Sequence, residues 1–507
     1  MIRVFLFWEI KIFSAKDRFD FRLVEDMSFR FYILSVFVIL AVRLKSQDPY
    51  IFSNDPYSGI SAVGISPTQP FLNPNQWDLN LISEDVFVQN RYGYISKSSL
   101  LGLTGGDVKE ADIKHGITGE NTKKVWDYYN HDQTGFHFSS ELMGPSFSFN
   151  FKLGERNFSA GLFSKLRTQT SIVKVDNYLK YTNQQIVEPV LYNLGEFETS
   201  FMNWTEVGLN LSTDIFQSSE NFWVVGVNLK YLGGNDAYVI KNRQNALMRR
   251  EFVPDPEDST RNIKNLYVSN FDVEAAYSTG YDFENDQYRY KKNGKGFGVD
   301  IGMAVVDFGE YDQAYNFKMG LNLLDIGAVT FDGFVHRFTG DDFQYTNNPA
   351  LEVDFENPEQ FAQIISQEIY GNPEQSLISN EFKIGLPTAL HFNASKSISA
   401  EQYLSLDWIQ RTPIFENSLR RSNIINLSYL YSIHKMAYGF SISAYEYQNL
   451  QLGAFFRFGP AIIGSENVLP MLIPHKKLHG ADFYFGLKIY PFRNRDMERR
   501  SREKCKC

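Results

Sequence analysis

Between Gly296 and Val306 the chain alternates strictly. Phe297, Val299, Ile301, Met303 and Val305 fall on one side, and Gly298, Asp300, Gly302 and Ala304 on the other. A period of two is the geometry of a strand whose two faces meet different surroundings. The same pattern runs through Tyr315–Leu324, Phe222–Leu232 and Ala481–Ile489. Short polar links join many of these stretches. Gly154-Glu-Arg-Asn157 separates Phe147–Leu153 from Phe158–Thr168, and His434-Lys435 separates Ile425–Ile433 from Met436–Tyr445. Such links make antiparallel neighbours.

Counting alternating stretches gives about 16 strands, or 14 if a hairpin merges. Among them are 269–279, 295–306, 315–324 and 328–338. The connections sort by length. If the first strand starts on one side of a membrane, the long loops 91–135, 169–200, 233–268 and 339–380 all reach the far side. The short turns 154–157, 216–221, 325–327, 396–400, 434–435 and 459–460 stay on the near side. Long loops outside and short turns inside describe a bacterial outer-membrane barrel. One link, 280–294, is long and falls on the short-turn side. The pattern therefore predicts an all-β fold, an antiparallel transmembrane β-barrel of about 14–16 strands. A large secreted sandwich or propeller also alternates. The strand length of roughly 9–12 residues and the loop asymmetry favour the barrel, and no internal repeat at a fixed period supports a propeller.

One stretch breaks the alternation. Asn357-Pro-Glu-Gln360 opens like a capped helix, Phe361, Ile364, Ile365, Glu368 and Ile369 follow helical spacing, and Gly371 can end it. This short helix lies in the 339–380 loop, where it either caps the barrel or folds inward as a partial plug.

The amino terminus differs from everything after it. Phe31–Val42 is a 12-residue apolar run preceded by Arg30. It is too short to span a bilayer as a helix and suits the core of a signal peptide. Residues 1–47 are expected to be that leader, with Met27 the true start, and a signal anchor is the runner-up. Residues 48–75 are expected to be a periplasmic or plug segment, 76–490 the barrel, and 491–507 a charged, disordered tail.

Composition agrees with a strand-rich barrel. The 507 residues include 44 Phe and 29 Tyr, which strands and interfacial girdles favour. Mean hydropathy of −0.30 excludes a helical membrane protein. Net charge is −9, against the basic excess of a nucleic-acid binder. The two cysteines, Cys505 and Cys507, sit in the tail, so the body has no disulfide framework and a lone C-x-C is a weak metal site.

Several stretches carry a family resemblance in their order along the chain. They are Leu72-Asn-Pro-Asn-Gln-Trp-Asp-Leu-Asn-Leu81, Gly144-Pro-Ser-Phe147, Leu321-Asn-Leu-Leu-Asp-Ile-Gly327, Leu386-Pro-Thr-Ala-Leu390, Phe458-Gly-Pro460 with Gly464-Ser465, and Ala481-Asp-Phe-Tyr-Phe-Gly-Leu487. From about Gly59 to Tyr490 the chain resembles an uncharacterised Bacteroidetes outer-membrane β-barrel family, known only as a domain of unknown function. That family is distantly similar to FadL-type barrels, which often carry Asn-Pro-Ala near the first strand; here Asn73-Pro74 is followed by Asn75. The resemblance implies fold and location in the bacterial outer membrane, and no substrate.

Motifs for chemistry are sparse. There is no P-loop, HExxH or EF-hand loop, and Gly102-Leu-Thr-Gly-Gly106 reads as loop. His391, Asn393 and Ser395 share one polar strand face, and Ser405 and Asp407 share the next. A lumen hydrolase would need one of these serines at hydrogen-bond distance from the histidine. The same residues are ordinary in a wet lumen, so no catalytic, cofactor or metal site is expected. The chain is read as an accessory or structural component of an envelope system, for secretion or surface attachment, with outer-membrane lipid and envelope proteins as partners. A pore or transporter for small or hydrophobic solutes is the alternative.

Overall fold

Strand by strand, the alternating stretches lie side by side in one antiparallel sheet, and its last strand pairs with its first. The description rests on a computed structural model, which describes residues 49–112, 115–129, 134–175, 190–218, 221–254, 262–283, 285, 287–308, 314–346 and 358–491. The expected leader, 1–47, lies outside the described residues, as does the expected tail apart from Pro491.

Fourteen strands close the barrel. They are β1 (Trp77–Asn90), β2 (Thr134–Met143 with Ser146–Leu153), β3 (Arg156–Val175) and β4 (Val190–Leu194 with Phe197–Gln217). Next come β5 (Phe222–Asn242 with Ala246–Pro254), β6 (Asn262–Ser278 with Gly294–Asp307), β7 (Phe317–Thr346) and β8 (Leu377–Gly385 with Ala389–Ser399). The last are β9 (Gln402–Arg411), β10 (Ile424–Ile433), β11 (Met436–Tyr445), β12 (Asn449–Phe458), β13 (Ala461–Ser465) and β14 (Gly480–Ile489). Closure is antiparallel, with Leu79 opposite Ile489 at one end and Gln89 opposite Gly480 at the other. Among the described residues no helix is long and apolar enough to cross a membrane.

Two expected links are corrected, and each correction removes one strand from the count of 16. The first is 280–294. Both pieces of β6 lie between β5 and β7. Gly294–Val306 pairs with Phe222–Gly234, and Val273–Ser278 pairs with Ala237–Asn242 of the same strand. The link is therefore a side excursion from one strand, and the loop that had fallen on the wrong side disappears. The second is 325–327, whose Asp-Ile-Gly has turn chemistry but does not turn. Val299 faces Ile326 and Ile301 faces Leu323, so Leu324 and Asp325 together oppose one residue. This is a β-bulge, with Asp325 at φ +55°. It keeps β7 going and re-aims a carboxylate into the barrel. The expected loop 233–268 is also partly strand, because β5 and β6 continue to Pro254 and Asn262.

The faces are inverted relative to a water-soluble protein. Leu209, Leu211, Leu229, Ile301, Leu427, Ile442 and Phe456 are exposed, whereas their neighbours Asn210, Asn228, Asp300, Asn426, Ser441 and Arg457 are buried. Burying polar groups costs free energy unless each finds a partner, and exposed apolar wall is stable only against an apolar medium. Above the apolar belt β5, β6 and β7 continue upward, with Val190–Leu194 of β4 paired alongside Ala246–Arg250 of β5. The helix α3 (Pro358–Tyr370) packs there against Ala246, Met248, Phe271 and Phe338. His336 and Tyr277 bond its Glu359 at 3.0 and 2.8 Å.

Candidate functional site

The lumen is occupied by the chain's own residues 49–75. This segment makes a short helix α1 (Tyr50–Ser53), a 3-10 turn at Gly59–Ala62 and a second short helix α2 (Gln69–Leu72). Its apolar residues Ile51, Phe52, Ile60, Val63, Ile65 and Phe71 are buried. Elements this short leave most backbone carbonyls without an internal partner. Donors on the barrel's inner face supply one. Asn210 and Ser212 of β4 donate to the Pro67 carbonyl at 2.8 and 2.9 Å. Asn228 of β5 donates to Val63 at 2.9 Å, and Lys488 of β14 to Tyr57 at 2.7 Å. Lys318 of β7 reaches the side chain of Gln69, and Tyr315 donates to Asn54. The wall makes room with glycines. A Cβ on Gly226 would stand 2.5 Å from the Pro67 carbonyl oxygen, and one on Gly439 would meet Ile51 at 2.7 Å.

The strongest single tether lies near the short-turn end. Arg457 Nε meets Asp55 Oδ2 at 2.6 Å, and both side chains are fully buried. Ser432 donates to the other Asp55 oxygen at 2.7 Å. The remaining guanidinium hydrogens go to the His434 and Ile433 carbonyls and to the Tyr490 and Ser432 hydroxyl oxygens. Lys488 also pairs with the buried Asp78 of β1, which links the segment to the seam where the barrel closes.

A second obstruction sits towards the long-loop end. The link 412–423 between β9 and β10 dips inward, with the Gly385 N–H donating to the Asn417 carbonyl and the Leu419 N–H to that of Gly385. Leu419 joins Trp204, Leu232, Phe331 and Leu386 in an apolar cluster. Beside it is a group of buried ions centred on the bulge. Arg167 holds Asp325 with two hydrogen bonds of 2.9 and 3.1 Å, Lys230 reaches it at 2.6 Å, and Arg421 lies 3.4 Å away. Lys230 also pairs with Asp300, Arg167 with Glu206 and Glu141, and Lys165 with Glu141. Four cations thus meet four carboxylates, so the group neutralises itself.

The candidate hydrolase residues are only partly brought together. His391 Nε2 lies 3.1 Å from Asp407, but its other nitrogen lies 3.0 Å from the Ile65 carbonyl of the inserted segment. Asn393 bonds Asp407 and Asn54. Ser405 donates to Ser395, 2.7 Å away, and Ser395 in turn contacts Tyr315. Neither serine is joined to the histidine, so the set lacks a nucleophile–base pair and holds the segment instead. Among the described residues no cluster of three or more His, Cys, Asp or Glu is placed to hold a metal.

Asp55, Arg457 and the ions around Asp325 were not singled out from the sequence. A signal was available for the strand members. Arg457, Lys230 and Asp300 stand at inward positions of alternating strands, where a charge needs a partner. Asp55 has no such signal, because residues 49–75 have no period.

No curated protein matches the sequence. Two solved structures are similar at low identity. One is the transport unit of the autotransporter AIDA-I from Escherichia coli, 9% identical, with a TM-score of 0.25, over 82% of this chain and 90% of that one. The other is a FadL homologue of Pseudomonas aeruginosa, 8% identical, with a TM-score of 0.20, over 89% and 95%. The family of unknown function DUF5723 matches residues 79–465, from β1 through β13, and the chain belongs to that family.

Proposed function

We propose that the chain is a closed barrel of a bacterial outer membrane and serves as an accessory or structural component of an envelope system. One observation carries the reading. The lumen is filled by residues 49–75, which are bonded to strands around the wall, and capped from the other end by 412–423. A barrel occupied this fully acts through its rim. The long-loop rim carries a small sheet of Gly93–Ser98, Lys109–Glu110, Val125–Tyr128 and His475–Leu478, as well as helix α3. Exposed apolar wall supports the membrane location, and residues 1–47 are the proposed leader. The resemblance to Bacteroidetes barrels gives the proposed source. No catalytic step is assigned.

The test is conductance together with crosslinking. The purified full chain in a planar bilayer is expected to stay non-conducting, and crosslinking in the native envelope is expected to capture a stoichiometric protein partner. Steady conductance by the unaltered chain, or solute uptake that depends on it, would overturn this reading in favour of a pore.

A further inference from the structure

Three lysines stand where the apolar outer wall ends on the long-loop side. On β5 the outward residues run from Trp223 to Tyr231, eight residue steps and roughly 27 Å along the strand. On β6 they run from Val305 to Phe297, and Phe297 is 73% exposed. Tyr231 and Phe297 pack edge to face at 5.7 Å. By the period of two, Lys295 is the next outward position after Phe297, and it is exposed. The excursion 279–293 then leaves β6 at this height. It is fixed by the Asn293 N–H to the Gly234 carbonyl and by the Gly280 N–H to Asp236. Its root drapes over the outer wall, because the Lys292 ammonium lies 4.4 Å from the Tyr231 ring centre and also bonds the Tyr231 hydroxyl. Lys291 and Tyr290 are exposed beside it. Arg289 pairs with Asp282 at 3.4 Å, whereas Lys291, Lys292 and Lys295 form no ion pair among the described residues.

We propose that this patch binds the phosphates of a lipid headgroup in the leaflet on the long-loop side. The proposal rests on the membrane reading above. Aromatic rings at the edge of an apolar belt mark the interface between acyl chains and headgroups. Phosphate is the anion found at that depth, and Lys binds it as a point charge. The rings of Tyr231, Phe297 and Tyr290 supply contact for the glycerol or sugar and the upper acyl chain. In a bacterial outer leaflet the fitting lipid is a bisphosphorylated lipid A.

The experiment uses the full chain released from detergent micelles and followed by native mass spectrometry, with bisphosphorylated and dephosphorylated lipid A as probes. The unaltered chain is expected to retain the phosphorylated lipid preferentially. The triple variant Lys291→Glu, Lys292→Glu, Lys295→Glu is expected to bind it on the order of a hundredfold more weakly. The corresponding arginine triple should keep it, and Arg156→Glu with Lys435→Glu at the short-turn rim should have no effect. Equal retention of both lipids, or undiminished binding by the glutamate triple, would overturn the proposal while the barrel reading stands. Displacement by millimolar inorganic phosphate would overturn the lipid assignment. Failure of the unaltered chain to float with phosphatidylcholine vesicles would bring down the barrel reading, and the proposal with it.

Discussion

Replacing Asp55 by Ala tests whether the inserted segment is held by the bonds described. In the folded chain Asp55 takes the Arg457 Nε–H at 2.6 Å and the Ser432 hydroxyl at 2.7 Å, with neither ion exposed. Removing one partner of a buried pair costs about 3–5 kcal/mol. The lower figure applies here, because Arg457 keeps the His434 and Ile433 carbonyls and Tyr490. About 3 kcal/mol corresponds to roughly a hundredfold rise in the population with the segment displaced. It does not amount to full release. The bonds from Asn210, Asn228, Lys488 and His391 remain, each neutral one contributing about 0.5–1.5 kcal/mol. The assay is thiol labelling. Cys505 and Cys507 are replaced by Ser, and the fully buried Ser58 becomes the single cysteine through Ser58→Cys. A membrane-impermeant maleimide then labels in proportion to the displaced population. Asp55→Ala should speed labelling by about two orders of magnitude, and adding Arg457→Met should recover part of the loss. An unchanged rate in Asp55→Ala would refute the claim that this pair holds the segment.

Other perturbations have equally definite outcomes. Gly226→Val places side-chain carbons against the Pro67 carbonyl and should destabilise the barrel by about 1–3 kcal/mol, read as a lower heat-denaturation midpoint on a gel-shift assay. Asp325→Gly keeps the left-handed bulge but removes the carboxylate that Arg167, Lys230 and Arg421 share. It should therefore cost nearly as much as Asp325→Ala, about 3–5 kcal/mol, whereas a near-neutral Gly variant would assign the residue's role to backbone conformation. At the short-turn rim, partial burial holds His434 below its ordinary range. The unfolded chain then takes up this proton more readily, so stability is lost as pH falls through about 6.5. Melting at pH 7.5 and 5.5 should show a smaller difference in His434→Gln than in the unaltered chain.

The wall was legible because lipid and lumen impose a strict period of two. Phe297 to Val305 and Ala481 to Ile489 read as strands at once, and the pairing of the latter with β1 came from the structure. The two miscounted links share a physical cause. Gly and Asp near 325–327 are turn formers, but the same left-handed freedom also serves a bulge, and only pairing with β6 separates the two. At 280–294 the polar sequence marks a departure from the sheet without saying whether the chain returns to the same groove. The segment 49–75 was least legible. Its stability lies in carbonyls that accept from Asn210, Asn228 and Lys488, and backbone acceptors leave no trace in side-chain pattern. The lumen residues His391 and Asp407 were visible as polar, but their pairing with Ile65 and Asn54 depends on a segment more than 300 positions away.

The inserted segment also constrains the order in which the chain can assemble. It is the first described part of the chain, yet two of its charged partners stand on strands made last: Arg457 is 402 positions from Asp55, and Lys488 is 431 from Tyr57. Contacts this distant in sequence form late, because the intervening loop must be closed before they return any free energy. Until then the Asp55 carboxylate and the Tyr57 carbonyl lack their partners on β12 and β14, and the segment is held only by the donors of earlier strands such as Asn210 and Asn228. Seam closure between β1 and β14 and docking of residues 49–75 therefore form one cooperative step. The Lys488–Asp78 pair lies at their junction. An arrested assembly intermediate should expose its amino-terminal segment to protease until the final strand is in place.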